Sequence, residues 1–126
     1  MGKSSDSPRT PTAVEFTEAD CEKPDTASIE TDPDAGTVTV TGCISGANAC
    51  YEAELADVEA SEDDDMLRVV IRSYDASKPG QMCAQVIVNL GYRVDLSFDD
   101  GPMPGRIEVH HQQRGRAETV ASTAVE

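Results

Sequence analysis

The sequence predicts an all-β domain, an antiparallel sandwich of six or seven strands with immunoglobulin-like architecture. Apolar and polar residues alternate with a period of two along several runs in the middle of the chain. Clusters of Gly, Pro, Asn and Asp separate these runs at the intervals typical of a sandwich or barrel. The 126 residues suffice for one domain, and with no Trp, three Tyr and two Phe we expect a core of Val, Ile, Leu and Ala.

The first predicted hairpin surrounds the turn cluster 32–36, in which Pro fixes φ and Gly supplies a positive φ. Its arms are residues 28–31 and 37–44. In the second arm Val38 and Val40 face one side and the threonines face the other. The Asp-x-Asp-x-Gly spacing of the turn is also that of a calcium loop, but the ligands expected at the fifth and twelfth positions are absent, so a hairpin turn is favoured.

Residues 50–58 fit two patterns. Apolar and acidic residues alternate as in a strand, whereas Tyr51, Leu55 and Val58 also fall at helical spacing. The strand is favoured, and the alternative is an α+β fold with a short helix near residues 50–59. The aspartates at 63–65 then form a turn.

Three or four further strands are predicted downstream, depending on whether Gly91 is a bulge within one strand or a corner between two. Residues 66–73 alternate clearly, and residues 82–90 are apolar on both faces, as in a central strand. Gly91 is interpreted as a bulge or corner before the alternating run 92–98. After turn signals at residues 99–105, a last short strand covers 106–110.

The predicted domain spans residues 21–111, between a flexible N-terminal tether (1–20) and a flexible C-terminal tail (112–126). The predicted core consists of inward-facing residues from each strand: Val38, Val40, Leu55, Leu67, Val69, Ile71, Val86, Val94, Leu96 and Ile107.

The charge balance predicts a high-salt environment. The chain carries 24 acidic against 10 basic residues, a formal net charge of −14. Such self-repulsion is screened at roughly 1 M salt, where the Debye length is about 3 Å, which indicates an extreme halophile. The same charge disfavours nucleic acid as a partner. No apolar run is long enough to cross a membrane as a helix.

The four cysteines predict two disulfides. Cys21, Cys43, Cys50 and Cys83 are even in number and form no C-x-x-C pair of the kind that zinc sites use. Because disulfides persist in oxidising compartments, we expect an extracellular or cell-surface protein whose export signal has been removed.

Four segments, TVTVTGCISGANACYEAEL, DMLRVVIRS, MCAQVIVNLGYRVDLSF and PGRIEVHH, resemble small β-sandwich proteins that extremely halophilic archaea carry behind export or lipoprotein signals. In similar domains a cysteine that opens a strand after a short Gly/Asn loop bonds to a cysteine that starts a later strand, which implies Cys50–Cys83. Together with the hairpin register, which brings Cys21 near Cys43, the resemblance implies Cys21–Cys43 as the second pair.

No catalytic or phosphate-binding motif occurs, so the chain is expected to be neither an enzyme nor a cofactor protein. The leading hypothesis is a monomeric, non-enzymatic extracytoplasmic domain that binds a protein or cell-surface partner through a sheet edge or through loops 45–49 and 101–105. Asn48 and an exposed Met103 are the candidate contacts in those loops.

The alternative is a metal or small-ligand binding domain that uses His110, His111 and loop carboxylates. Adjacent strand residues point to opposite faces, so the two rings diverge and are expected to be ordinary surface histidines.

Overall fold

The computed structural model describes residues 11–61, 65–98, 103–113 and 116–125, and these residues form eight strands. The all-β prediction is confirmed, with eight strands where six or seven were expected. None of the described residues forms a helix that could cross a membrane. The strands are β1 (Ala13–Ala19), β2 (Thr26–Asp32), β3 (Thr37–Gly46), β4 (Tyr51–Ser61), β5 (Met66–Asp75), β6 (Val88–Ser97), β7 (Arg106–Gln113) and β8 (Arg116–Ala124).

The strands form two four-stranded sheets that pack as a sandwich. One sheet has the order β1-β6-β3-β2 and is antiparallel throughout. The other has the order β4-β5-β7-β8, and its central pair, β5 and β7, is parallel. The predicted antiparallel sandwich is therefore confirmed, with this one parallel pair as the exception. The chain crosses to the other sheet through β6 between β5 and β7, and so returns in the same direction.

The core lies between the four central strands. The alternating pattern of β3, β5, β6 and β7 directs about every second side chain inward. Each Val, Ile or Leu side chain that is fully buried stabilises the folded state by about 1.5–3 kcal/mol. Eight of the ten predicted core residues are buried, and Leu55 packs partly buried against them. The buried set is Val38, Val40, Ile44, Leu67, Val69, Ile71, Tyr92, Val94, Leu96, Phe98, Ile107 and Val109.

The hairpin of β2 and β3 forms as predicted. Gly36 has φ 70°, and its N–H donates to the Asp32 carbonyl oxygen at 2.8 Å. The Asp32 side chain also accepts a hydrogen bond from the Ala35 N–H, at 3.2 Å. A Cβ at position 36 would lie within 3 Å of the Phe98 carbonyl oxygen, so both backbone conformation and space require glycine.

β4 is a strand, so the helix alternative for residues 50–59 is wrong. The pairing of β4 with β5 shifts register between Leu55 and Asp57, which is a β-bulge. The extra residue lets Leu55 and Val58, three positions apart, both pack against the core. The bulge therefore accounts for the helix-like spacing in the sequence.

The predicted strand 82–90 begins only at Val88. Residues 76–87 belong to neither sheet, and Cys83 within them is bonded to Cys50 just before β4. We call residues 76–87 the stapled segment. Val86, a predicted core residue, is 54% exposed, so that prediction is wrong.

Gly91 is neither a bulge nor a corner, because β6 keeps a continuous register with β1 and β3 through this position. A Cβ there would clash with the backbone of Ala19, since it would lie 2.8 Å from the Ala19 carbonyl carbon. The glycine therefore serves a close approach of two strands.

The sheets extend beyond residues 21 and 111 at both ends. β1 lies within the predicted tether and pairs with β6, and β8 lies within the predicted tail and pairs with β7. Phe16 of β1 and Val120 of β8 pack against the core. Residues 1–10, 114–115 and 126 lie outside the described part of the chain, as do residues 62–64 and 99–102 with the turns predicted there.

Both disulfides form with the expected pairing. Cys21–Cys43 has a Cα–Cα distance of 5.8 Å and joins the β1–β2 connection to β3. Cys50–Cys83 has a Cα–Cα distance of 5.6 Å and holds the stapled segment to the start of β4.

Candidate functional site

A cavity of about 350 Å³ lies at the end of the sandwich where β3 and β7 finish and β8 begins. It opens between the two sheets. Its floor includes His111 and Ser73, both buried. Polar and apolar side chains both line the cavity, and we call these two groups the polar wall and the apolar wall. The apolar wall consists of Tyr51, Ile87 and Val120, of which Val120 lies on the same strand as Arg116 and Glu118.

The polar wall of the cavity is a hydrogen-bonded set. The Ser45 hydroxyl donates to Gln113 Oε1 at 3.1 Å, and Gln113 Nε2 donates to Asp25 Oδ1 at 2.8 Å. Arg116 Nη2 donates to Glu118 Oε1 at 3.4 Å. The first two contacts join β3, β7 and the β1–β2 connection at the rim, whereas the Arg116–Glu118 pair lies within β8 and is largely exposed.

Backbone geometry brings Asp25 to this rim. Its φ is 64°, a left-handed conformation that Asp tolerates better than most residues. Its N–H donates to the carbonyl oxygen of Cys43 at 2.7 Å, next to the Cys21–Cys43 bridge. Glu118 reaches the same cavity because β8 places it directly opposite His111 of β7.

His111 is 2% exposed and is hydrogen-bonded to Tyr92 across the two sheets. The Tyr92 hydroxyl oxygen lies 2.6 Å from His111 Nε2, and the two rings meet edge to face with centroids 5.6 Å apart. The Phe16 ring also stacks with Tyr92, with ring centroids 6.1 Å apart. Gly42 lies opposite Tyr92 on β3 and leaves room for its hydroxyl. The pair is a buried polar contact beside the apolar core.

Both members of this pair are neutral near pH 7. Burial lowers the pKa of His111 to about 4, and the negative charge of Asp25 opposes this only in part. Burial also raises the pKa of Tyr92 well above its ordinary value of 10. The pair therefore has two polar hydrogens, one on an oxygen or nitrogen of each side chain. One of these two hydrogens lies in the hydrogen bond between the side chains.

The remaining nitrogen, His111 Nδ1, is buried and has no hydrogen-bond partner among the described residues. If the imidazole donated to Tyr92, the tyrosine proton and the Nδ1 lone pair would both lack partners. If Tyr92 donates, one N–H alone is unpaired. The second arrangement leaves fewer buried groups unsatisfied, so Nδ1 carries the proton and is an unpaired donor.

His110 lies on the opposite face of β7. Its Nε2 is 3.0 Å from Glu108 Oε1 and 3.2 Å from the Thr119 hydroxyl oxygen. The hydrogen bond with His110 lowers the pKa of Glu108, with burial acting against it. The two histidines therefore diverge as expected, and over the described ranges no group of three or more His, Cys, Asp or Glu side chains could hold a metal ion.

The prediction of two surface histidines is wrong for His111. The signal for its burial was present in the sequence, because Ile107 and Val109 were placed inward and position 111 has the same parity. No comparable signal marked the other cavity residues. Asp25 and Glu118 resemble any other acidic residue of this chain until the fold brings them together.

The two predicted contact residues, Asn48 and Met103, both make contacts within the protein itself. Asn48 accepts a hydrogen bond from the Cys50 N–H through Oδ1, at 2.8 Å, and so shapes the turn into β4. Met103 packs partly buried against the core, so the prediction that it is exposed is wrong.

The stapled segment adjoins the cavity. The Ala49 N–H donates to the Ala84 carbonyl oxygen at 3.0 Å, which ties the predicted contact loop to this segment. Met82 and Ile87 are 94% and 76% exposed, and Ile87 also lines the cavity. Loop, segment and cavity thus occupy one end of the sandwich.

No protein-family model, no curated protein and no solved structure matches the chain.

Proposed function

We propose that the protein is a non-enzymatic, extracytoplasmic binding domain of a halophile, and that the stapled segment with loop 47–50 forms its contact surface for a protein partner. The observation that carries this proposal is the exposure of Met82, Val86 and Ile87 on a segment fixed by the Cys50–Cys83 disulfide. Large exposed apolar side chains that are clustered and held in place are typical of interaction sites.

The composition of this segment fits an extended partner. Residues 82–87 include the β-branched residues Val86 and Ile87, yet they belong to neither sheet. A partner strand laid alongside them would bury the apolar side chains and supply main-chain hydrogen bonds, as in strand addition to a sheet edge. The disulfide lowers the ordering cost of such binding, because it restricts the segment beforehand.

The surface charge favours a partner segment with basic residues. Each of the five described arginines forms an ion pair with an acidic side chain, so the unpaired charge left on the protein is largely negative. The occupant we propose is therefore an extended peptide segment with apolar side chains flanked by Lys or Arg.

An extracytoplasmic location is supported by the two disulfides, which are normally reduced in the cytosol. The halophilic setting is supported by the net charge of −14. Trapping of four free thiols in freshly lysed source cells would contradict the location.

Photo-crosslinking tests the contact surface. A photoreactive phenylalanine is placed at Met82 or Ile87, and as the control at Val14, an apolar residue of β1 that is 42% exposed. Each purified variant is mixed with the envelope fraction of the source cells at about 1 M KCl, where charges are screened. We expect one discrete product from positions 82 and 87 and none from position 14.

Competition makes the result specific. An excess of unlabelled wild type or Val14→Glu protein should suppress the crosslinked product, whereas Ile87→Glu should not, because a charge there opposes apolar contact. No product from either position, or equal suppression by Ile87→Glu, would show that the stapled segment is not the contact surface.

A further inference from the structure

His111 lines the cavity floor and has a hydrogen-bond donor that no described residue accepts from. The residue is almost fully buried, Tyr92 occupies its Nε2, and its Nδ1 is unpaired and has almost no accessible surface. Because a buried donor left unpaired is costly, a ligand oxygen would be stabilised there once a small shift of the ring opens Nδ1 to the cavity. Because the imidazole is neutral, this acceptor need not carry a charge.

The polar wall offers donors and acceptors in nearly balanced charge. Asp25 and Glu118 supply carboxylate oxygens, and Arg116 supplies guanidinium N–H groups. With His111 neutral, the formal charge of these lining groups is −1, in a protein of net charge −14. An anionic ligand is therefore repelled. A hydroxyl group, which both donates and accepts, can bond either kind of side chain without bringing a charge.

The apolar wall and the size of the cavity define the rest of the ligand. Tyr51, Ile87 and Val120 add apolar surface to the same cavity, so the ligand needs an apolar face as well as hydroxyls. The volume of about 350 Å³ is near the lower end of the roughly 300–1,000 Å³ typical of small-molecule sites. A single pyranose ring has C–H groups on one face and hydroxyls around its edge, and it fits this description.

We propose that this cavity binds a neutral monosaccharide ring, either free or at the end of a glycan, with its hydroxyls on Asp25, Arg116 and Glu118, an oxygen on the imidazole of His111, and its C–H face on Tyr51. The site shares Ile87 with the proposed contact surface, but the sugar is proposed to bind the free protein, without the peptide partner.

An NMR titration tests the proposal on the intact, disulfide-bonded protein at about 1 M KCl, where the fold is screened against its own charge. The neutral probes are glucose, mannose, galactose and N-acetylglucosamine, and the charged probes are glucosamine and glucuronate. We expect saturable shifts of the Ser45, His111 and Gln113 amides with at least one neutral sugar, and a shift of the His111 Nδ1 resonance.

Two conservative variants test the polar wall without opening the core. Asp25→Asn and Glu118→Gln keep the side-chain shape and should each weaken binding about tenfold or more, as expected for hydrogen bonds to charged groups. Glu15→Gln, on exposed β1, is the matched control and should bind as the wild type does. The methyl glycosides of the bound sugar distinguish a free monosaccharide from the end of a glycan as the natural ligand. A methyl glycoside that binds as well as the free sugar indicates a glycan end, and one that does not bind indicates the free sugar.

The remaining outcomes would overturn the proposal. They are no saturable shift with any neutral sugar, equal binding in Asp25→Asn and Glu118→Gln, and binding of glucosamine alone. Binding of glucosamine alone would show that the cavity is a site for amines and not for neutral sugars. A failure of crosslinking at Met82 with normal sugar binding would remove the partner proposal and leave this one standing.

Discussion

Protonation of His111 should make the stability of the protein fall steeply between pH 6.5 and about 4. The folded protein holds the imidazole neutral because its burial lowers the pKa from 6.5 to about 4. In the unfolded chain the same ring binds a proton near pH 6.5. Within this window the unfolded state binds more protons, so the free energy of unfolding decreases as the pH falls. Above pH 6.5 this contribution is fully present.

The expected loss is large for a small domain. Each pKa unit is worth about 1.4 kcal/mol, so a pKa lowered from 6.5 to about 4 amounts to about 3 kcal/mol. The groups that face the ring are Tyr92 from β6, Asp25 before β2, and Glu118 and Arg116 from β8. Among them, the charge of Asp25 raises the pKa of His111, an effect already contained in the value of about 4.

Other titrating groups act mainly at lower pH. Hydrogen bonds lower the pKa values of Asp75, Asp95 and Glu108, so their stabilisation is present above their ordinary values of 3.8 and 4.5 and is lost as the pH falls further. Protonation of surface carboxylates also relieves self-repulsion, which would hide part of the effect at low salt. We therefore choose about 1 M KCl, where the Debye length is about 3 Å.

Urea unfolding, followed by circular dichroism between pH 7.5 and 4.5, measures the free energy directly. The wild type and His110→Gln, the control on the opposite face of β7, should lose stability across this range, and His111→Gln should lose far less. If His111→Gln does not fold, an NMR titration of the wild-type ring decides, with a midpoint near 4 expected. A free energy independent of pH in His110→Gln, or a His111 midpoint near 6.5, would refute the reasoning.

Three further outcomes are expected. Replacing Cys50 and Cys83 by Ala should cost about 4 kcal/mol in urea unfolding, because the bridge closes a separation of 33 residues, and an unchanged midpoint would contradict this. Gly42→Ala should lower the free energy of unfolding by about 1–3 kcal/mol or more. The added Cβ would overlap the Tyr92 hydroxyl and lie 2.8 Å from the Thr26 carbonyl oxygen. A melting temperature equal to that of the wild type would contradict this close packing. The melting temperature should fall when KCl is lowered from about 1 M to 0.1 M, because the acidic side chains are then less screened from one another. A melting temperature that does not change with salt would contradict the proposed halophilic setting.

Local pattern alone determined the strands that line the core. In β3, β5 and the later part of β6, apolar and polar residues alternate because one face of each strand is buried and the other faces solvent. The turn between β2 and β3 was equally local, since Gly36 and the preceding Pro specify it within a few residues. The cysteine pairing was expected from the hairpin register together with a resemblance, and both disulfides form.

The edge strands and the stapled segment were decided by tertiary structure. β1 pairs with β6, far away in sequence, and buries little apart from Phe16, so its own pattern is weak. Residues 82–87 have the composition of a central strand, but the bond between Cys50 and Cys83 fixes them at the end of the sandwich, outside both sheets.

The candidate site shows the same division. The inward orientation of His111 follows from the period of β7 and could be predicted from the sequence, but its contact with Tyr92 requires the two sheets to meet face to face. Asp25, Arg116 and Glu118 reach one cavity because the β1–β2 connection lies at the end of the sandwich where the edge strand β8 begins. Period and turn chemistry act over a few residues, whereas this site joins elements about ninety positions apart, and only the packing of the complete sandwich brings them together.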